Sequence, residues 1–229
     1  DQEVEVIRRG FATLIAEGLV ELDVLPRATP GRIHDYLSTG RYHVVHFIGH
    51  GVYDDSRGEG CLVFENERGG EYPLGERAVR EIFCKRGLSL VFLNACETGR
   101  GGGADFNKGV AQSLVAHGLP ALVANQYSVL DSSATSFAQR LYWALAQGLS
   151  LGEAAREARI AVNYSLNGEL IDWAVPVVYA RDPGMRLHAP RAPRQAPARA
   201  SAPTGREARI AVWDVDDVFP AIDTTLRVL

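Results

Sequence analysis

Long apolar runs, a basic surplus and paired cysteines are all missing from this 229-residue chain. No stretch approaches the roughly 18 apolar residues that a membrane-spanning helix needs. The charged start, DQEVEVIRRG, is not followed by the apolar region of a secretory signal. These absences predict no membrane association and a cytoplasmic setting. A net charge of −4 argues against a general nucleic-acid binder, so no direct nucleic-acid contact is expected. Cys61, Cys84 and Cys96 form no CxxC pair and no disulfide framework, which fits a reducing compartment. Each thiol then serves either packing or chemistry. No pair of histidines or acids has metal-ligand spacing, and no metal site is predicted. The run GRGGGADFNKG (Gly99–Gly109) lacks the GK[ST] ending of a phosphate loop and does not match GxGxxG. It reads as a flexible loop, and no cofactor is expected.

What is present is a folded domain. Apolar residues make up 46% and charged residues 23%, a globular composition. Residues 1–187 carry its periodicity. Residues 188–208 include APRAPRQAPARASAPTG, which has no large apolar side chain and reads as a proline-stiffened linker. From 209 to 229 an apolar run returns, as at the start of a second, truncated domain.

Within 1–187 helices and strands alternate. Val4, Ile7, Phe11, Leu14 and Ile15 share a helical face that Gly18 stops. Val20, Leu22 and Val24 alternate with acids and predict a strand. Thr29-Pro30 fits the start of a short helix. Tyr42–Ile48 and Leu88–Asn94 are continuous β-prone runs, as in parallel strands covered on both faces. Between them Cys61–Glu65 and Glu71–Leu74 suggest a hairpin, followed by a helix bearing Val79, Ile82 and Phe83. Further strands are read at Pro120–Asn125 and Val175–Ala180, with helices at roughly 132–147 and 151–163. The last opens on Ser150 and Glu153 at capping-box spacing. The fold class is α/β, a sheet between helical layers with ligands at the carboxyl ends of its strands.

Two buried strands end alike, one in Gly49-His50-Gly51 and the other in Asn94-Ala95-Cys96-Glu97. If they are parallel neighbours, His50 and Cys96 lie side by side. A nucleophilic thiol needs such an imidazole to form the thiolate and protonate a leaving group. Glycine beside the histidine admits a substrate carbonyl, and the amides of Gly51 and Cys96 are natural oxyanion donors. His46, inside its strand, reads as a hydrogen-bonded core residue, and Cys61 and Cys84 as packing. Tyr53, Asp54 and Asp55 either line the cleft or form a solvated turn.

HVVHFIGHG, LVFLNACETG and GVAQSLVAHGLPALVANQYSV together resemble the CHAT family of caspase-like peptidases, over about residues 1–187. The resemblance implies a caspase-like three-layer sandwich with a mostly parallel central sheet. It makes His50 the catalytic histidine and Cys96 the nucleophile of a cysteine endopeptidase. Asn94 stands where caspase relatives have a pocket-floor residue, beside its plainer role as a strand-terminal amide. Asp131 corresponds to an acid with which separase binds a basic P1 side chain, although a helix N-cap is its other reading. Implied partners are a protein or peptide substrate and a sensor or activating domain or subunit, within a bacterial signalling or defence system. Caspase-type sheets begin with a central strand before the first helix. Here that strand is expected upstream of Asp1, unless something else fills its slot. Tyr127-Ser128 stands where the family usually has a Trp-Pro-like pair. The contrasting reading is a catalytically inactive CHAT-like interaction or relay module, against which the presence of both His50 and Cys96 weighs.

Overall fold

The computed structural model describes residues 2–25, 27–39, 42–97, 105–125, 131–165 and 171–187. Helix α1 (Gln2–Ala16) turns Ile7, Phe11 and Leu14 into the core at the expected spacing. Ile15, one position round the helix, is 39% exposed, so the stripe is narrower than expected. The helix closes on Gly18 at φ +67°, where the Gly18 and Leu19 amides donate to the Ile15 and Leu14 carbonyls. Only glycine takes that backbone conformation without strain. The strand expected at Val20–Val24 does not form. Leu19, Val20 and Leu22 pack into one core and Leu25 and Ala28 into the other. The segment crosses from one face of the sheet to the other, and such a path leaves no straight ladder to a neighbour. Helix α2 (Pro30–Thr39) follows, with Thr29 Oγ1 accepting from the Arg32 amide.

Six strands form the sheet: β1 (Val44–Asp54), β2 (Glu59–Glu65), β3 (Glu71–Gly75), β4 (Leu90–Glu97), β5 (Ala121–Asn125) and β6 (Pro176–Ala180). Their order is β3-β2-β1-β4-β5-β6. The pairs β1·β4 and β4·β5 are parallel, and the other three are antiparallel. Thus β1, β3, β4 and β5 point one way and β2 and β6 the other.

Helices cover both faces, completing the three-layer α/β sandwich. On one face α1, α5 (Asp131–Ala146) and α6 (Leu151–Ser165) pack on Leu90, Phe92, Ala121 and Val123. On the other, α2, α3 (Glu76–Phe83) and α4 (Asp105–Ala116) pack on Val91, Leu93, Leu122 and Ala124. Alternate residues of one strand therefore fill two cores, which is why β4 and β5 read as unbroken apolar runs. Ser150 and Glu153 form the expected capping box: the Ser150 amide and hydroxyl donate to Glu153 Oε2 at 2.8 and 2.7 Å.

Two strands run further than their sequences suggest. β1 continues through Gly49-His50-Gly51 to Asp54, held by an antiparallel ladder to β2 from His50 to Asp54. β4 continues through Asn94 and Cys96 to Glu97. The Gly99–Gly109 run is helical from Asp105 onward, so its second half is not a loop. Its first half, Tyr127-Ser128, the linker 188–208 and the stretch 209–229 lie outside the described residues. Among the described residues Val44–Gly49 is laddered on one side only, to β4. The opposite side of that stretch is where a further central strand would pair.

Candidate active site

The parallel ladder between β1 and β4 runs without a slip from Val44↔Leu90 to Gly51↔Glu97. It sets His50 opposite Cys96 and Ile48 opposite Asn94. Adjacent strands lie about 4.8 Å apart, and residues in register share a face of the sheet. Positions 50 and 96 thus belong to one face, that of His46 and Phe92, at the carboxyl edge. Past Gly49, β1 gains β2 as its second neighbour, and His50 also pairs with Val63. His50 is exposed at this junction, whereas Gly51 is buried between Leu62 and Glu97 in the two ladders.

The first glycine of the GHG run has a packing reason. A Cβ at Gly49 would lie 2.8 Å from the Phe47 ring. That ring is buried against Phe64, with centroids 5.2 Å apart. Phe47 folds over the backbone of residue 49, and a larger residue there requires the ring to shift.

One step down the same face, His46 behaves as a core residue. Its ring stacks on Phe92 at 4.5 Å and 6°, and Nδ1 lies 2.9 Å from the Tyr142 hydroxyl. Loss of hydration lowers its pKa to about 4 and raises that of the Tyr142 hydroxyl. His46 is therefore neutral near pH 7, with its Nε2 buried and without a hydrogen-bond partner among the described residues.

Asn94 follows Phe92 on the same face of β4. Its Oδ1 accepts a 2.8 Å hydrogen bond from Nδ2 of Asn125, the fully buried last residue of β5. Sequence reasoning missed Asn125, whose one signal is a polar residue closing the otherwise apolar strand ALVAN. Asp131 is the first residue of α5. Asp54 supplies a turn: its Oδ1 accepts from the Ser56 amide and hydroxyl and the Arg57 amide. Those bonds, the hydroxyl first, hold its carboxyl below the ordinary range. Cys61 is buried, and Cys84 packs on the second core with Sγ 3.6 Å from the Leu114 carbonyl oxygen. Burial raises the pKa of both thiols, which makes them poor nucleophiles. Among the described residues no three histidine, cysteine or acidic side chains converge as metal ligands, and no helix is long and apolar enough to cross a membrane.

A family model described as the CHAT domain matches residues 1–181. Among solved structures, the chain is similar to that of the Arg-specific cysteine proteinase gingipain R, with a TM-score of 0.54 and 16% identity. The match covers 81% of this chain and 42% of that one, so the chain spans less than half of gingipain R. At such identity the likeness is one of fold. No curated protein matches the chain.

Proposed function

The chain belongs to the CHAT domain family, and from that premise we propose that it is a caspase-like cysteine endopeptidase working through a His50–Cys96 dyad. The observation that carries the reading is the register pairing of those two positions on adjacent parallel strands. A thiolate and an imidazole brought together in this way can divide amide hydrolysis into two easier steps. The Cys96 thiolate adds to the scissile carbonyl, and the Cys96 amide holds the oxyanion. Collapse of the adduct breaks the C–N bond, and imidazolium at His50 gives its proton to the departing amine. Water, deprotonated by His50, then cleaves the thioester, releasing a carboxylic acid and restoring the thiol.

The S1 pocket includes Asn94 and Asp131, and it prefers arginine or lysine at P1. A carboxylate in a partly desolvated pocket gains a charge-assisted bond with a basic side chain and repels an acidic one. The position of Asp131 at the start of α5, one segment after β5, supports this assignment. Substrates are proteins or peptides, and a sensor or activating domain or subunit turns the enzyme on within a bacterial signalling or defence system.

A fluorogenic peptide library with P1 varied tests the reading. Cleavage after Arg and Lys, lost in Cys96→Ser together with the intact-mass adduct of an electrophile, is expected. Cutting after Asp or small apolar residues while Arg and Lys are ignored overturns the P1 assignment. An adduct and activity that survive in Cys96→Ser overturn the dyad.

A further inference from the structure

We infer that Asn125 is a positioning residue that acts on the Cys96 nucleophile through Asn94, a role that rests on the peptidase reading. The other four residues of β5 are apolar and at most 1% exposed, and Asn125 is equally buried. A buried amide is costly unless it is hydrogen-bonded, and packing alone is served better there by valine. The amide does have a use, because its Nδ2 donates to Asn94 Oδ1 at 2.8 Å.

That bond fixes which way the Asn94 amide faces. Its oxygen is drawn toward β5, so the polar atom it turns to the rest of its surroundings is Nδ2, the positive end of the amide dipole. Asn94 stands two residues before Cys96 on one strand and on the same face, with Cα atoms about 7 Å apart. A fixed N–H dipole there favours a thiolate and the negative charge that develops during attack. The arrangement requires a donor at position 125. An acceptor would reverse the Asn94 amide and put its oxygen where wild type has Nδ2.

Three measurements on wild type, Asn125→Val and Asn125→Asp test this: circular dichroism for folding, the iodoacetamide rate at Cys96 against pH by intact mass, and kcat and KM on a cleavable peptide. Asn125→Val is expected to fold, to shift the Cys96 alkylation profile upward by about one pH unit, and to lose about 10- to 100-fold in kcat with KM nearly unchanged. Asn125→Asp is expected to react like wild type while its buried carboxylic acid is protonated and can donate. It then declines as the acid ionises, a step absent from wild type and from Asn125→Val. A folded Asn125→Val with wild-type alkylation and kcat overturns the inference. If the valine variant does not fold, a folded Asn125→Asp without the extra step overturns it. Wild-type protein that cuts no peptide, with the alkylation shifts intact, supports the role of Asn125 and overturns the peptidase reading instead.

Discussion

Three cysteines in one domain have three different environments, and the chemistry assigned to each follows from its surroundings. Cys61 is sealed in the core and Cys84 is half-buried, with its sulfur against a helical carbonyl. Only Cys96 has a histidine in register with it. Cys96→Ala is expected to abolish peptide cleavage, whereas Cys61→Ala and Cys84→Ala keep it and lose about 1–2 kcal/mol of stability in urea titrations. His46 has a different signature. Burial depresses its pKa to about 4, so between pH 6.5 and 4 the unfolded chain takes up a proton that the folded chain refuses. Its contribution to stability is complete above pH 6.5 and falls as pH drops toward 4, by on the order of 3 kcal/mol. Urea midpoints of wild type and His46→Gln measured across that range are expected to converge at low pH, because the variant lacks this slope.

At the level of elements, helices were readable because their signals are local. The Ser150–Glu153 box is complete in the structure, and Arg186 adds an ion pair to Glu153 at 3.4 Å. Ser150→Ala is expected to cost about 1 kcal/mol, seen as a drop of about 2–4 °C in Tm. Strand extents were less readable. Gly49 and Gly51 look like punctuation in the sequence, yet β1 runs straight through them, because β2 takes over as its second neighbour at His50. Ladder partners far away in sequence decide where a strand ends, and a local pattern does not contain them. Val20–Val24 fails in the opposite sense: its alternation is perfect, but Val20 and Leu22 pack into one core while Leu25 and Ala28, just beyond, pack into the other. Asn125 was illegible since one asparagine at a strand end gives no hint of the amide it meets across the sheet. The register of His50 and Cys96, by contrast, was legible from two matched motifs. Gly49→Ala is expected to cost about 1–3 kcal/mol through its clash with Phe47, and Phe47→Leu in the same chain is expected to recover part of that loss in a double-mutant cycle.

For the whole molecule, the basic P1 preference proposed above has a testable consequence for the chain itself. It carries 22 arginines, of which Arg191, Arg194 and Arg199 stand in the proline-rich stretch 189–205. Incubation of active protein is expected to release fragments cut after one of these arginines, identified by intact mass, and Cys96→Ala protein is expected to stay whole. Wild-type protein that cleaves added Arg peptides yet remains intact would show that these bonds are out of reach.

The pairing of β1 with β4 also governs when the proposed dyad can assemble. His50 and Cys96 are separated in sequence by β2, β3 and α3, and they meet only when the parallel ladder closes. Hairpins form early because their loops are short, whereas contacts between distant strands form late. A chain emerging from the ribosome, or one that has partly unfolded, holds the thiol without its imidazole. On the proposed mechanism folding itself is thus the safety catch, because the two residues of the dyad come together only in the closed ladder.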